Sequence, residues 1–176
     1  MPIDPAIDEE IQLTAYEAGW PAAFAAERDR LLATFASQLL RVEHFGSTAV
    51  PGMPAKPIVD ILAGVASMQV ADALFEPILA AGYTTSRAYN AMLADRRWFM
   101  RSSEGRRTHH LHVVVADGNV WTERLAFRDA LRASADLAQH YADLKRELAA
   151  RFRCDREAYT QAKSAFVASV LAQRGL

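Results

Sequence analysis

Val42-Glu43-His44-Phe45-Gly46-Ser47-Thr48-Ala49-Val50-Pro51-Gly52-Met53-Pro54-Ala55-Lys56-Pro57-Ile58-Val59-Asp60-Ile61-Leu62-Ala63-Gly64-Val65 is the stretch on which the reading of this chain turns. A short apolar strand runs into a turn of small residues, Gly46, Ser47, Thr48, Pro51 and Gly52. A second, more apolar strand follows at about 57–65 and carries one carboxylate, Asp60. Glycine at a strand end lets the backbone approach a ligand closely and aim its N–H groups at it. A single Asp inside an apolar strand is costly unless it is hydrogen-bonded, paired or bound to a metal. A small-residue loop beside such a carboxylate suits a phosphate and its divalent ion. The alternative is an ordinary turn, with Asp60 capping it or pairing with Lys56 or an arginine. The loop is not a Walker A motif, because neither Gly46 nor Gly52 is followed directly by Lys and then Ser or Thr.

Working outward, the flanking segments read as an alternation of helices and strands. Residues 1–13 form an arm in which Ile11 and Leu13 add an edge strand or pack. Trp20-Pro21 opens a helix to about Phe35, since proline suits the first helical turn. Met68 to Ala81 reads as a helix with Val70, Leu74 and Ile78 spaced by four, shortened or kinked by Pro77 and ended by Gly82. Tyr83 to Tyr89 is expected as a strand. So is Arg97-Trp98-Phe99-Met100-Arg101, with Arg97, Phe99 and Arg101 on one face by period two. After a polar turn around Gly105, His110-Leu111-His112-Val113-Val114-Val115 is a strand whose two histidines share a face, with His109 on the other. Three helices close the chain, over about 119–132, 136–152 and from Asp155 onward. The middle one carries the stripe Leu137, Tyr141, Leu144, Leu148 and Phe152. The expected fold is therefore α/β in the α+β sense: a mixed sheet flanked by helices, with a helical C-terminal third. No repeat or linker divides it, so residues 1–176 are read as one domain.

The same residues carry a resemblance. Gly46-Ser47-Thr48-Ala49-Val50-Pro51-Gly52, followed by Ala55-Lys56-Pro57-Ile58-Val59-Asp60-Ile61, resembles the signature of the GrpB-like family, which belongs to the nucleotidyltransferase-fold superfamily. The likeness continues through Arg97-Trp98-Phe99, His110-Leu111-His112, Phe127-Arg128-Asp129 and the helical C-terminus. It implies a sheet of nucleotidyltransferase type. In that superfamily a Gly-Ser pair precedes a carboxylate strand and binds phosphate, which assigns phosphate to Gly46 and Ser47 and a divalent metal to Asp60. Active nucleotidyltransferases usually carry a second acidic residue two positions on, and here that residue is Leu62. Two-metal catalysis shares carboxylates between ions ~4 Å apart, so Leu62 departs from the pattern. A later strand supplies a third acidic ligand in the superfamily; this chain offers His110 and His112 there.

The candidate site is then Asp60 and His112 as catalytic groups, Gly46, Ser47, Lys56, Arg97 and Arg101 for phosphate, and Asp60, His110 and His112 for metal. Mg²⁺ or Mn²⁺ fits the carboxylate, while imidazole also admits Zn²⁺. Histidine can equally serve as a general base, or the two can simply be hydrogen-bonded beneath a helix. Arg97 and Arg101 have the geometry to grip phosphate or carboxylate bidentately, or they form a solvated face. Arg128-Asp129 reads as a structural ion pair, and Trp121, Phe127 and Tyr141 as core. The functional expectation is a nucleotidyltransferase-like protein that binds a nucleotide or phosphorylated metabolite with a divalent metal. Its rivals are an inactive binding module of the same fold and a metal-dependent hydrolase or cyclase on Asp60 with His110 and His112.

Composition narrows the partners. The formal net charge of −1 argues against broad attachment to nucleic acid or anionic lipid. The single Cys154 excludes an internal disulfide and suits reducing cytoplasm. No apolar run approaches the ~20 residues that span a bilayer. The acidic start of the chain, with Asp4, Asp8, Glu9 and Glu10, does not read as a signal peptide.

Overall fold

The computed structural model describes residues 10–176, with the backbone alone at position 156. Within it the elements run α1 (Trp20–Phe35), β1 (Arg41–Phe45), a 3-10 turn (Ser47–Ala49), β2 (Val59–Val65), α2 (Met68–Ala73), α3 (Phe75–Ala80), α4 (Arg87–Ala91), β3 (Arg96–Ser103), β4 (Arg106–Val115), α5 (Asn119–Ala133), α6 (Ala135–Arg151) and α7 (Arg156–Ala172). The fold is α+β. Its sheet is mixed, in the order β1-β2-β4-β3. β1 and β2 are antiparallel, β2 and β4 parallel, and β3 and β4 antiparallel.

Parity along the two central strands divides the molecule into two layers. Val59, Ile61, Ala63 and Val65 of β2 face the same way as Leu111 and Val113 of β4 and Phe99 of β3. They meet Leu31 and Phe35 of α1, Ala71 of α2 and Ile78 of α3 in the larger core. The opposite parity presents Asp60 and Leu62 of β2, His110, His112 and Val114 of β4, and Phe45 of β1 to the C-terminal helices. At one end of that face Trp121 of α5 closes over Leu62 and Val114. Gly64 makes this approach possible: a Cβ there would lie 2.9 Å from the Trp121 ring. Further out, Tyr141 of α6 packs with Leu131 of α5 and with Val50 and Met53 of the loop, joined by Phe127 and Phe166. The helices thus cover the Leu62 end of the face and stand off from its Asp60 end.

Two expectations change, and one choice left open is decided. The helix expected over 68–81 is two helices, broken at Leu74. Pro77 has no N–H to offer the carbonyl four residues back, so the break falls one turn before it. The segment Tyr83–Tyr89 is not a strand. Thr84 makes one isolated bridge to Met100, and Ser86 then caps α4 by accepting from the Tyr89 N–H. A polar capping residue outcompeted the apolar pattern there. In the arm, Ile11 does not extend the sheet. It is buried against Leu148 and Tyr159, its N–H donates to the Arg153 carbonyl, and Thr14 bridges Ala55. Residues 1–9 of the expected arm lie outside the described residues.

Candidate functional site

Asp60 is the floor of the site. β2 and β4 pair it directly with His110, and His110 Nδ1 lies 3.2 Å from Asp60 Oδ1. Burial pushes the Asp60 carboxyl up, but the His110 bond and the charges of His110, His112 and Lys56 outweigh it and hold the group below the usual carboxylate range. On the other side, Phe45 pairs with Asp60 in β1, and the chain turns at Gly46 with φ +74°. A Cβ at Gly46 would lie 2.5 Å from Asp60 Oδ2. Only glycine can carry the turn this close above the carboxylate.

Ser47 follows at the start of the 3-10 turn. Its hydroxyl accepts a hydrogen bond from Lys145 Nζ at 2.9 Å. Lys145 reaches in from α6, is 1 % exposed, and also donates to the Pro54 carbonyl. Both acceptors are neutral. Burial, reinforced by the charges of Lys163 and Arg146, pushes its ammonium down to about 7. Lys163 of α7 lies with its Nζ 4.1 Å from the centre of the Tyr159 ring. Burial and then the charge of Lys56 push it down to about 7 as well.

Gly46, Ser47, Asp60 and Lys163 border a cleft of about 500 Å³ between the open end of the sheet face and helices α5, α6 and α7, with Lys145 behind Ser47. That volume lies within the range of small-molecule sites. Gly46, Ser47, Asp60 and His112 line it as expected, together with Arg96, Arg124, Arg128, Tyr141 and Lys163 and the carboxylates Asp95 and Glu123. Arg128 is committed to Glu43 and the His44 carbonyl, and Arg96 to Asp95. Arg124 reaches over the Phe45 ring, 6.0 Å from its centre. Its charge is opposed by Asp60 within the cleft and by neighbouring Glu123. His112, edge-on to Phe45 at 5.2 Å, is driven down to about 3 by burial and the charge of Arg124. Its imidazole is therefore neutral near pH 7, suited to accept a bond but too weakly basic to take up a proton.

The remaining expected residues lie elsewhere. Arg97 and Arg101 do share a face of β3, but it is the opposite face of the sheet. Trp98, not Arg97, pairs with His112. Arg97 bonds Asp72 on α2 at 2.7 Å and the Leu93 carbonyl, and Arg101 bonds Glu27 on α1. Glu27 is 4 % exposed and also receives Arg30 and the Tyr83 hydroxyl. The expectation that Arg97 joins the cleft is corrected: both arginines tie the sheet to its other helical layer. His44 belongs to that layer too, stacked on Phe24 and bonded to Thr48. Lys56 stands beside the cleft, its ammonium 5.8 Å from the centre of the Tyr159 ring. His110 packs against Trp98 beneath the lining.

The donor set does not fit the two-metal centre that the superfamily resemblance implies. Leu62 is fully buried against Phe45, Val114 and Trp121 where a second carboxylate would stand. Asp60 Oδ1 is engaged by His110, and Oδ2 faces Gly46. Among the described residues, no three His, Cys, Asp or Glu side chains group so as to hold a metal ion. Also among them, no helix is long and apolar enough to cross a membrane.

Comparison with known proteins places this cleft in context. The family model described as GrpB protein matches residues 10–173. The UPF0157 protein YqkA of Bacillus subtilis is 36% identical over 159 residues, covering 90% of this chain and 45% of the relative. A dephospho-CoA kinase of Mycolicibacterium paratuberculosis is 33% identical over 175 residues, covering 87% of this chain and 43% of that protein. The chain thus spans less than half the length of either. The crystal structure of conserved protein GrpB from Enterococcus faecalis superimposes with a TM-score of 0.80 at 31% identity, over 92% of this chain and 96% of that one.

Proposed function

Because this chain belongs to the GrpB family, we propose that its cleft binds a nucleotide or another phosphorylated metabolite over the floor made by Gly46, Ser47 and Asp60. The observation that carries the reading is that Lys163 and Arg124 line one cleft over Asp60, with Lys145 bonded to the lining hydroxyl of Ser47 from behind. Lysine and arginine converging in a partly desolvated pocket favour a phosphate over a neutral ligand. The likeness to a protein named dephospho-CoA kinase agrees with a ligand of this class.

In the catalytic version of this reading, a hydroxyl, amine or carboxylate of a second substrate attacks the α-phosphorus of a bound nucleoside triphosphate. The bond to the bridging oxygen breaks and pyrophosphate leaves. Asp60, fixed by His110, accepts a hydrogen bond from the nucleophile and orients it, and any proton the nucleophile loses passes to solvent. The cations stabilise charge on the transferring group, so positioning and electrostatics supply the rate. Leu62 favours a second reading, a binding module without turnover, because an aliphatic side chain stands where nucleotidyltransferases place a carboxylate.

Calorimetry with ATP, ADP and coenzyme A precursors in the presence of Mg²⁺, followed by an assay for released pyrophosphate, tests both. Binding with turnover supports the transferase, and binding without turnover supports the module. Failure of all these ligands to bind would remove the reading.

A further inference from the structure

Lys145 shows most clearly what the cleft asks of its ligand. An ammonium 1 % exposed and bonded to the Ser47 hydroxyl and the Pro54 carbonyl is a buried charge without a bonded counter-charge among the described residues. Such an arrangement is expensive unless an anion completes it. Lys163 and Arg124 repeat the pattern on the two neighbouring helices. Each has an aromatic ring within about 6 Å, and neither forms a salt bridge with a carboxylate among the described residues. The charge of Asp60 acts on all three, Glu123 adds to it at Arg124, and Asp95 in the same lining is taken by Arg96. A divalent ion usually neutralises phosphate oxygens from carboxylate ligands. Here Leu62 occupies the second position, no three His, Cys, Asp or Glu side chains among the described residues group so as to hold an ion, and Lys163 and Arg124 line the cleft instead.

We propose that the cleft takes the phosphate part of its ligand as the free, metal-less anion, held by Lys145 from α6, Lys163 from α7 and Arg124 from α5. The inference rests on the phosphate-binding reading above and specifies how that site neutralises charge. Lys163 and Arg124 meet the phosphate oxygens directly. Lys145 supports them from behind Ser47, sharing that hydroxyl with the ligand. The aromatic faces of Tyr159 and Phe45 hold the cations in place without competing for the anion, as a carboxylate would.

Pyrophosphate is the probe, titrated calorimetrically into the full chain in excess EDTA and again in excess Mg²⁺. The expected result is binding in EDTA, with an affinity that Mg²⁺ does not improve. Lys163→Met and Arg124→Met should each weaken it at least tenfold while leaving the unfolding midpoint within a few degrees. Arg97→Ala, on the other face of the sheet, should leave it unchanged. Binding that appears only with Mg²⁺, or that survives both cleft substitutions, would overturn the inference while leaving the phosphate-binding reading intact. If neither pyrophosphate nor any nucleotide binds with or without Mg²⁺, both fall together.

Discussion

Replacing Gly46 by Ala asks the cleft to accept a methyl group 2.5 Å from Asp60 Oδ2 at φ +74°. The backbone strain alone costs ~1–3 kcal/mol, and relieving the clash must lift the turn off the carboxylate. Gly46→Ala should therefore lower stability by ~2–4 kcal/mol in denaturant unfolding and abolish pyrophosphate binding. Asp60→Asn keeps the shape but removes the negative charge that acts on Lys145, Lys163 and Arg124 together. Because the Asp60 carboxyl is held below its ordinary value of 3.8, its stabilisation is complete above that value. It is lost as pH falls through the lowered folded value. The variant should be destabilised by ~1–3 kcal/mol at pH 7, and the difference from wild type should vanish in strong acid; an undiminished difference there contradicts the assignment. The motif exposed Gly46, Ser47 and Asp60 in the sequence, because unusual residue types stood in an apolar setting. Lys145, Lys163 and Arg124 gave no such signal. A lysine on an amphipathic helix looks solvated until another element closes over it, and the only trace of Lys145 is its place one residue after the apolar stripe position Leu144.

Among the elements, β3 shows where strand-level reading stops. Its period correctly groups Arg97 with Arg101, but nothing within one strand says which side of the sheet that group faces. The answer lies in the register with β4, where Trp98 meets His112, and a shift of one residue would have put both arginines in the cleft. The consequence is measurable. Glu27→Gln weakens the hub that fastens Arg101 of β3 and Arg30 of α1, and should cost ~3–5 kcal/mol as a broken buried ion pair. Ligand affinity, residing on the other face, should not change. Helix α6 gives the opposite case. Lys145 is held at about 7 against its ordinary 10.5, so its charged burial is a cost to the folded chain. That cost is fully present below about pH 7 and disappears as pH rises towards 10.5, where the unfolded chain also loses the proton. Lys145→Met should raise the unfolding midpoint at pH 6, and the gain should shrink steadily up to pH 10. The same change should weaken pyrophosphate binding. A midpoint that falls at pH 6 would show that the bonds to Ser47 and Pro54 outweigh the burial of the charge. The strand expected at Tyr83–Tyr89 was illegible for a related reason: Thr84 bridges Met100 for a single pair, and Ser86 then starts a helix.

At the scale of the whole molecule the net charge is −1, while the cleft brings Arg96, Arg124, Arg128 and Lys163 together with Asp60, Asp95 and Glu123. Phosphate affinity should accordingly fall several-fold between ~50 mM and 200 mM salt, though less steeply than for a nucleic-acid surface. The central pairing carries a further consequence. β2 and β4 are parallel neighbours, and the Asp60–His110 contact joins residues 50 positions apart. A parallel pair cannot be closed by a hairpin, so α2, α3, α4 and β3 must all be accommodated before these two strands can settle side by side. Pairings of such long sequence separation are slow to form, because chain entropy is surrendered well before contacts repay it. The floor of the cleft therefore belongs to the late, fully assembled state, and a partly folded chain has no anion site to offer. Pyrophosphate should slow unfolding while leaving the refolding rate in dilute denaturant almost untouched, a signature readable from the two limbs of a chevron plot. The phosphate site would then act as a timekeeper of the native state, lengthening its lifetime without hastening its birth.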